Sequence, residues 1–193
     1  GNANDESGNN LHCTINGAEL SIDRFGNEKS SYYLDGIDDT IDIPLQNNKG
    51  ASDFSISLWL NPKEILYYDH RIFSDGRGGE SVNDPWIWLT FFGNGEVDYC
   101  DTRNICWNWE DINHGNHDYL CSNFQIPMGE YSHITIVREG DEKKIYLNGK
   151  LDNTQIDPSI PNYKNPKPIT VGTSPDQHPE YERYYNGMIQ TSM

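Results

Sequence analysis

The sequence predicts an all-β domain, an antiparallel β-sandwich, on three observations. Apolar and polar residues alternate at a period of two, while stretches with apolar residues at three-and-four spacing are few. Turn residues recur roughly every 8 to 12 positions, the rhythm of many short strands. Aromatic residues make up 12% of the chain, enough rings to fill the thin core between two sheets. The 193 residues suit one domain of the larger all-β kind, spanning 1–193.

The elements follow in order. "SSYYLDG" from Ser30 is a strand closing on an Asp-Gly turn, and "DTIDIPL" sets Ile41 and Ile43 against Thr40 and Asp42. "DFSISLWLNP" puts Phe54, Ile56 and Leu58 on one face and Ser55, Ser57 and Trp59 on the other, before Asn-Pro ends it. Between Leu58 and Leu60, Trp59 reads as a core residue. "PWIWLTFFGNGEVDYC" reads as a hairpin around Gly93-Asn94-Gly95, because Asn-Gly accepts positive φ. "YSHITIVREGDEKKIYLNGKL" is a second hairpin, and "KPITVG" and "YYNGMI" supply the last strands. Between Cys100 and Cys121 the alternation breaks, and residues 101–120 read as a long polar excursion carrying Trp107 and Trp109.

Thirty acidic residues against fourteen basic leave a formal charge of −16. Such a surface repels phosphate backbones and anionic lipids, which excludes nucleic acid as a partner, and it tolerates cations. No run approaches the roughly 20 apolar residues of a membrane helix, so membrane insertion is not expected. The opening "GNANDESGNN" reads as the start of a processed chain. Cys13, Cys100, Cys106 and Cys121 lack the paired short gaps of a zinc site. Their even number points to disulfides and an oxidising compartment. Three connectivities can be drawn, and the short loop between Cys100 and Cys106 favours that pair.

The motifs together resemble a known family. "NANDESGNNLHCTINGAELSIDRFGNEKSSYYLDGIDDTIDIP", "FSISLWLNP" and "YSHITIVREGDEKKIYLNGKL" are similar, in order and spacing, to bacterial laminin G-like domains of the concanavalin A-like lectin/glucanase superfamily. Tyr131 stands where tryptophan is usual. The resemblance implies a jelly roll of two antiparallel sheets, in proteins that are secreted, periplasmic or on the cell surface. It also implies terminal strands that pair with each other. Here the first of them is missing and Gln190 stands where aspartate is common, so the chain is expected either to be a fragment of a longer one or to present an unpaired edge that a partner strand could cover.

Several constellations could carry function. Rings stack on the C–H faces of sugars, so Trp107, Trp109, Trp86, Trp88 and Tyr99 form a candidate carbohydrate site. Tyr67, Tyr68 and His70 form a smaller polar-aromatic cluster. Asp35, Asp38 and Asp39 crowd one turn around Gly36, an oxygen-rich setting for a structural calcium. The resemblance places such an ion near similar turns, although Asp38 and Asp39 are also ordinary turn formers. A glycoside hydrolase of this superfamily would need paired carboxylates on one strand, for which Glu96 and Asp98, with Asp101, are the nearest approach. The shorter Asp101 and the intervening Cys100 count against that reading. His114 and His117 read as a solvated loop pair, and His133 as locally bonded. The chain is thus expected to be a non-catalytic recognition module for carbohydrate or adhesion. The alternatives are a structural or protein-interaction domain and, last, a glycoside hydrolase.

Overall fold

The computed structural model describes residues 3–46, 53–64, 70–74, 87–91, 100–109, 119–159, 168–173 and 184–190. Among these residues there is no helix, and fourteen strands form two antiparallel sheets. The strands are β1 (Thr14–Asn16), β2 (Glu19–Ser21), β3 (Ser31–Asp35), β4 (Thr40–Gln46), β5 (Phe54–Pro62), β6 (His70–Ser74) and β7 (Ile87–Phe91). They continue with β8 (Ile105–Trp109), β9 (Leu120–Cys121), β10 (Ser132–Glu139), β11 (Glu142–Leu147), β12 (Lys150–Ile156), β13 (Pro168–Val171) and β14 (Asn186–Gln190). The first sheet runs β1-β4-β13-β6-β7-β8-β9 and the second β12-β11-β10-β5-β14-β3-β2. This is the jelly-roll sandwich that the patterning and the resemblance led one to expect.

Alternation sets the register, because a one-residue slip would turn every apolar side chain to the wrong face. In the second sheet Leu58 lies opposite Ile134 and Ile56 opposite Ile136, while Ile134 and Ile136 face Leu147 and Ile145 on β11. In the first sheet Leu89 lies opposite Trp107 and Ile87 opposite Trp109. The layers meet where the Phe54 ring stands edge-on to Trp107, centroids 6.0 Å apart.

Three sequence expectations are corrected. The excursion at 101–120 is in part a core element, since Ile105–Trp109 is a fully buried strand, β8. Gly93-Asn94-Gly95, the turn of the expected hairpin, lies outside the described residues, and the described strand before it, β7, bonds to β6 and β8. The disulfide joins Cys100 to Cys121, not Cys106. The pairing follows β9, which brings Cys121 alongside β8, a tertiary event invisible in loop length. Finally, β14 lies inside the second sheet between β5 and β3, so the last strand is no open edge. Among the described strands, the edges are β1, β9, β12 and β2.

Candidate functional site

The outward face of the second sheet carries a polar-aromatic patch where β5 and β10 run side by side. Alternation that points Leu58 and Ile134 inward must point Ser57, Trp59, His133 and Thr135 outward. The register sets Trp59 opposite His133 and Ser57 opposite Thr135. The Trp59 and His133 rings lie 4.8 Å apart. Ser57 Oγ is 2.7 Å from His133 Nε2 and 3.1 Å from Thr135 Oγ1. On the other side of β5, Gln190 pairs with Trp59, and its buried Oε1 has no hydrogen-bond partner.

A short loop reaches over this patch. The Asp23 carboxylate accepts the backbone N–H groups of Phe25 (2.8 Å) and Asn27 (2.9 Å) and the Asn27 side chain (3.0 Å). Burial alone would raise the Asp23 carboxyl, yet these hydrogen bonds hold it below its ordinary value. The Ile22 carbonyl is anchored by the hydroxyls of Ser31 (2.6 Å) and Tyr131 (2.7 Å). The pinned loop sets the Arg24 guanidinium 4.5 Å from the centre of the Trp59 ring and 4.2 Å from that of Phe25. Phe25 itself is 72% exposed. Burial, and then the Arg24 charge, push His133 below its ordinary value. At neutral pH its ring is uncharged, with one nitrogen donating and one accepting.

Ser57 and His133 are within proton-transfer distance, but the nearby backbone N–H groups of β5 and β10 are engaged in the ladder. A flat ring ringed by hydroxyl, imidazole, guanidinium and amide groups matches the two-sided chemistry of a sugar, apolar C–H faces and polar edges.

The residues singled out in the sequence fall elsewhere. Trp107 and Trp109 point inward and are 0% and 1% exposed, so they line the core rather than a sugar site. Trp88 faces out from the first sheet but is buried between Arg71, 4.1 Å from its ring, and Tyr119, 5.3 Å away. His70 is buried, with Nδ1 3.0 Å from the Tyr184 carbonyl. Asp101 is exposed. Trp86, Tyr99, Glu96, Asp98, Tyr67, Tyr68, His114 and His117 lie outside the described residues. The site residue that sequence reasoning missed is Trp59. Alternation had already grouped it with Ser55 and Ser57, and its leucine neighbours outweighed that signal.

The carboxylates of Asp35, Asp38 and Asp39 do converge, each offering an oxygen within 4.8 Å of the others. Part of their capacity is used locally: Asp39 Oδ2 accepts the Asp35 N–H (2.9 Å) and Asp35 Oδ1 that of Ile37 (2.8 Å). Gly17, at φ 79°, closes over the turn so tightly that a Cβ there would lie 2.0 Å from Asp39 Oδ1. Between the sheets, Ile43, Ile56, Leu58, Phe73, Val171 and Ile189 help line an apolar cavity of about 220 Å³. It offers little to orient a hydroxylated ligand.

The sequence model of the concanavalin A-like lectin/glucanases superfamily, laminin G type, matches residues 35–192. The chain belongs to this superfamily. No curated protein matches it by sequence. Solved structures similar to it include domain 4 of AbnA, a GH43 extracellular arabinanase from Geobacillus stearothermophilus, in complex with arabinotriose. That likeness has a TM-score of 0.67 at 15% identity, over 98% of this chain and 84% of that one. The binding domain of Paraclostridial Mosquitocidal Protein 1 gives 0.67 at 16%, covering 97% and 44%. The receptor binding domain of the botulinum neurotoxin C/D mosaic serotype gives 0.67 at 18%, covering 96% and 43%. The chain thus spans under half the length of those toxin domains. At these identities the likeness is one of fold.

Proposed function

We propose that the chain is a secreted, non-catalytic carbohydrate-binding module whose sugar site is the patch around Trp59. The observation that carries this reading is the outward Trp59 ring, with Ser57, His133 and Thr135 beside it on one face and the Arg24 guanidinium over it. The arabinotriose complex of the similar arabinanase domain supports a glycan as ligand. The Cys100–Cys121 disulfide supports an extracellular setting. Calorimetric titration against a panel of soluble polysaccharides and oligosaccharides, arabinan included, tests it. At least one glycan is expected to bind, and Trp59→Ala to weaken that binding at least about tenfold, since buried aromatic contacts carry about 2 kcal/mol or more. The variant should keep the parent's circular dichroism. A panel without binding, or binding indifferent to Trp59→Ala, overturns the reading.

A structural calcium at Asp35, Asp38 and Asp39 is a second part of the proposal. Burial, and then the charges of Asp35, Asp38 and Glu19, push the Asp39 carboxyl above its ordinary value. A bound cation would relieve that repulsion, and carboxylate and loop carbonyl oxygens are the donors calcium takes. Millimolar calcium is expected to raise Tm by a few degrees, with reversal by chelator and no response in Asp39→Asn. A Tm indifferent to calcium and chelator removes the ion from the account.

A further inference from the structure

Three cysteines meet on the outer side of the first sheet. On β8, Ile105, Trp107 and Trp109 point into the core, so Cys106 points out, yet it is wholly buried and carries a thiol. Directly opposite it on β9 stands Cys121, already bonded to Cys100. The three sulfurs lie within 4.8 Å of one another. Trp88 and Tyr119 pack against the same cluster.

The sheet register adds a second observation. Ser122 N–H donates to the Ile105 carbonyl at 2.8 Å, which makes Ile105 and Ser122 a hydrogen-bonded pair. Cys106 and Cys121 are therefore a non-hydrogen-bonded pair, the kind whose Cα atoms lie about 4.5 Å apart with side chains close together. That separation falls inside the roughly 4.4–6.8 Å a disulfide can span. The bonded pair, Cys100 and Cys121, has a Cα separation of 5.7 Å. Cys121 thus has Cys100 as its bonded partner and, directly across the strand pair, Cys106 with its sulfur within 4.8 Å. Both bridges close loops of similar length, so chain entropy gives neither a large advantage.

We infer that Cys121 exchanges its partner between Cys100 and Cys106, making Cys100 a reactive thiol and a modification site. Local opening at β9 lets Cys106 give its proton to solvent, and the thiolate attacks the Cys121 sulfur. The Cys106–Cys121 bond forms as the Cys100–Cys121 bond breaks, and Cys100 leaves as a thiolate that takes up a proton. One disulfide and one thiol stand on each side, so no oxidant or reductant is consumed. What changes is access. Cys106 is sealed in, whereas Cys100 is half-buried. Exchange moves the thiol from the sealed position to the more open one, where the Cys100 thiolate attacks a small disulfide, forms a mixed disulfide with one half and releases the other half as a thiolate. The step requires the thiolate, so it quickens as pH rises.

The test is alkylation of the folded, unreduced protein with iodoacetamide at about pH 7 and about pH 8.5, followed by acid quench and non-reducing peptide mapping. Alkylated Cys100 is expected, in step with a Cys106–Cys121 bridged peptide, and at least about tenfold faster at the higher pH. Cys106→Ser should keep the Cys100–Cys121 bridge and lose Cys100 labelling at least about tenfold. Cys100→Ser should fold with a Cys106–Cys121 bridge, which keeps the proposal testable if Cys106→Ser fails to fold. Cys13 maps to its own peptide and does not confuse the readout. The proposal is overturned if wild type yields only the Cys100–Cys121 peptide, or if Cys106→Ser labels Cys100 as fast as wild type. A folded Cys100→Ser variant that leaves Cys106 and Cys121 as thiols overturns it as well.

Discussion

Replacing Trp107 with alanine is expected to destabilise the domain by about 3–5 kcal/mol, with Tm lower on the order of 10 °C. The ring is 0% exposed and sits where the two sheets meet. Its strand neighbours are Leu89 and Leu120, Phe54 meets it from the opposite sheet, and Trp109 stacks edge-on at 5.4 Å. Truncation loses the transfer free energy of an indole and leaves a cavity that two hydrogen-bonded sheets cannot close. Trp107→Phe separates packing from polarity. The indole Nε1 is buried without a partner, so phenylalanine removes an orphaned donor while keeping most of the volume. It is expected to cost well under half as much. Urea denaturation of both variants measures this, and an alanine variant losing less than about 1 kcal/mol would contradict the two-layer core.

Breaking the buried ion pair of Lys143 and Asp157 is expected to cost as much. Lys143 is 0% exposed and Asp157 2%. The two are in direct contact, and the ammonium also lies 3.7 Å from the Trp109 ring centre. Lys143→Met leaves a carboxylate in the interior with its counter-charge gone, a loss of about 3–5 kcal/mol. The double variant Lys143→Met, Asp157→Leu removes both charges and should be more stable than Lys143→Met alone, since the desolvation cost disappears with them.

The pair also gives the stability a pH dependence of known sign. Burial by itself would raise the Asp157 carboxyl, but hydrogen bonds from Lys143 and Ser159, with the Lys143 charge, hold it below its ordinary 3.8. A depressed folded pKa contributes stability that is fully present above the unfolded value, near pH 4. That contribution is lost as pH falls through the lower, folded one. Urea midpoints of wild type and Lys143→Met should therefore differ most near neutrality and converge below about pH 3. A gap of constant size across that range would mean the pair is not ionised in the fold.

The two-sheet architecture was legible in the sequence because β-strands bury alternate residues. "HITIV" and "FSISLWL" display that period directly, and the structure pairs Ile136 with Ile56 and Ile134 with Leu58 as the alternation requires. The turn at Asp35–Asp39 was legible for the same local reason, as carboxylates and glycine next to a strand end bond their own backbone. β8 was not legible. "ICWNW" alternates too, but its outward positions, Cys106 and Asn108, are buried as well. With both faces covered, the contrast between polar and apolar positions no longer marks which side is the core.

What the sequence determined by itself was periodicity, turn chemistry and charge, all properties of residues near one another along the chain. Tertiary structure alone decided which rings are outside and which sulfurs meet. Trp59 faces out because Leu58 and Leu60 fill the core beside it, while Trp107 faces in because β8 is covered by the opposite layer. Cys121 reaches Cys100 only because β9 lies along β8. Such choices depend on contacts between segments far apart in sequence, and no local pattern encodes which distant neighbour arrives.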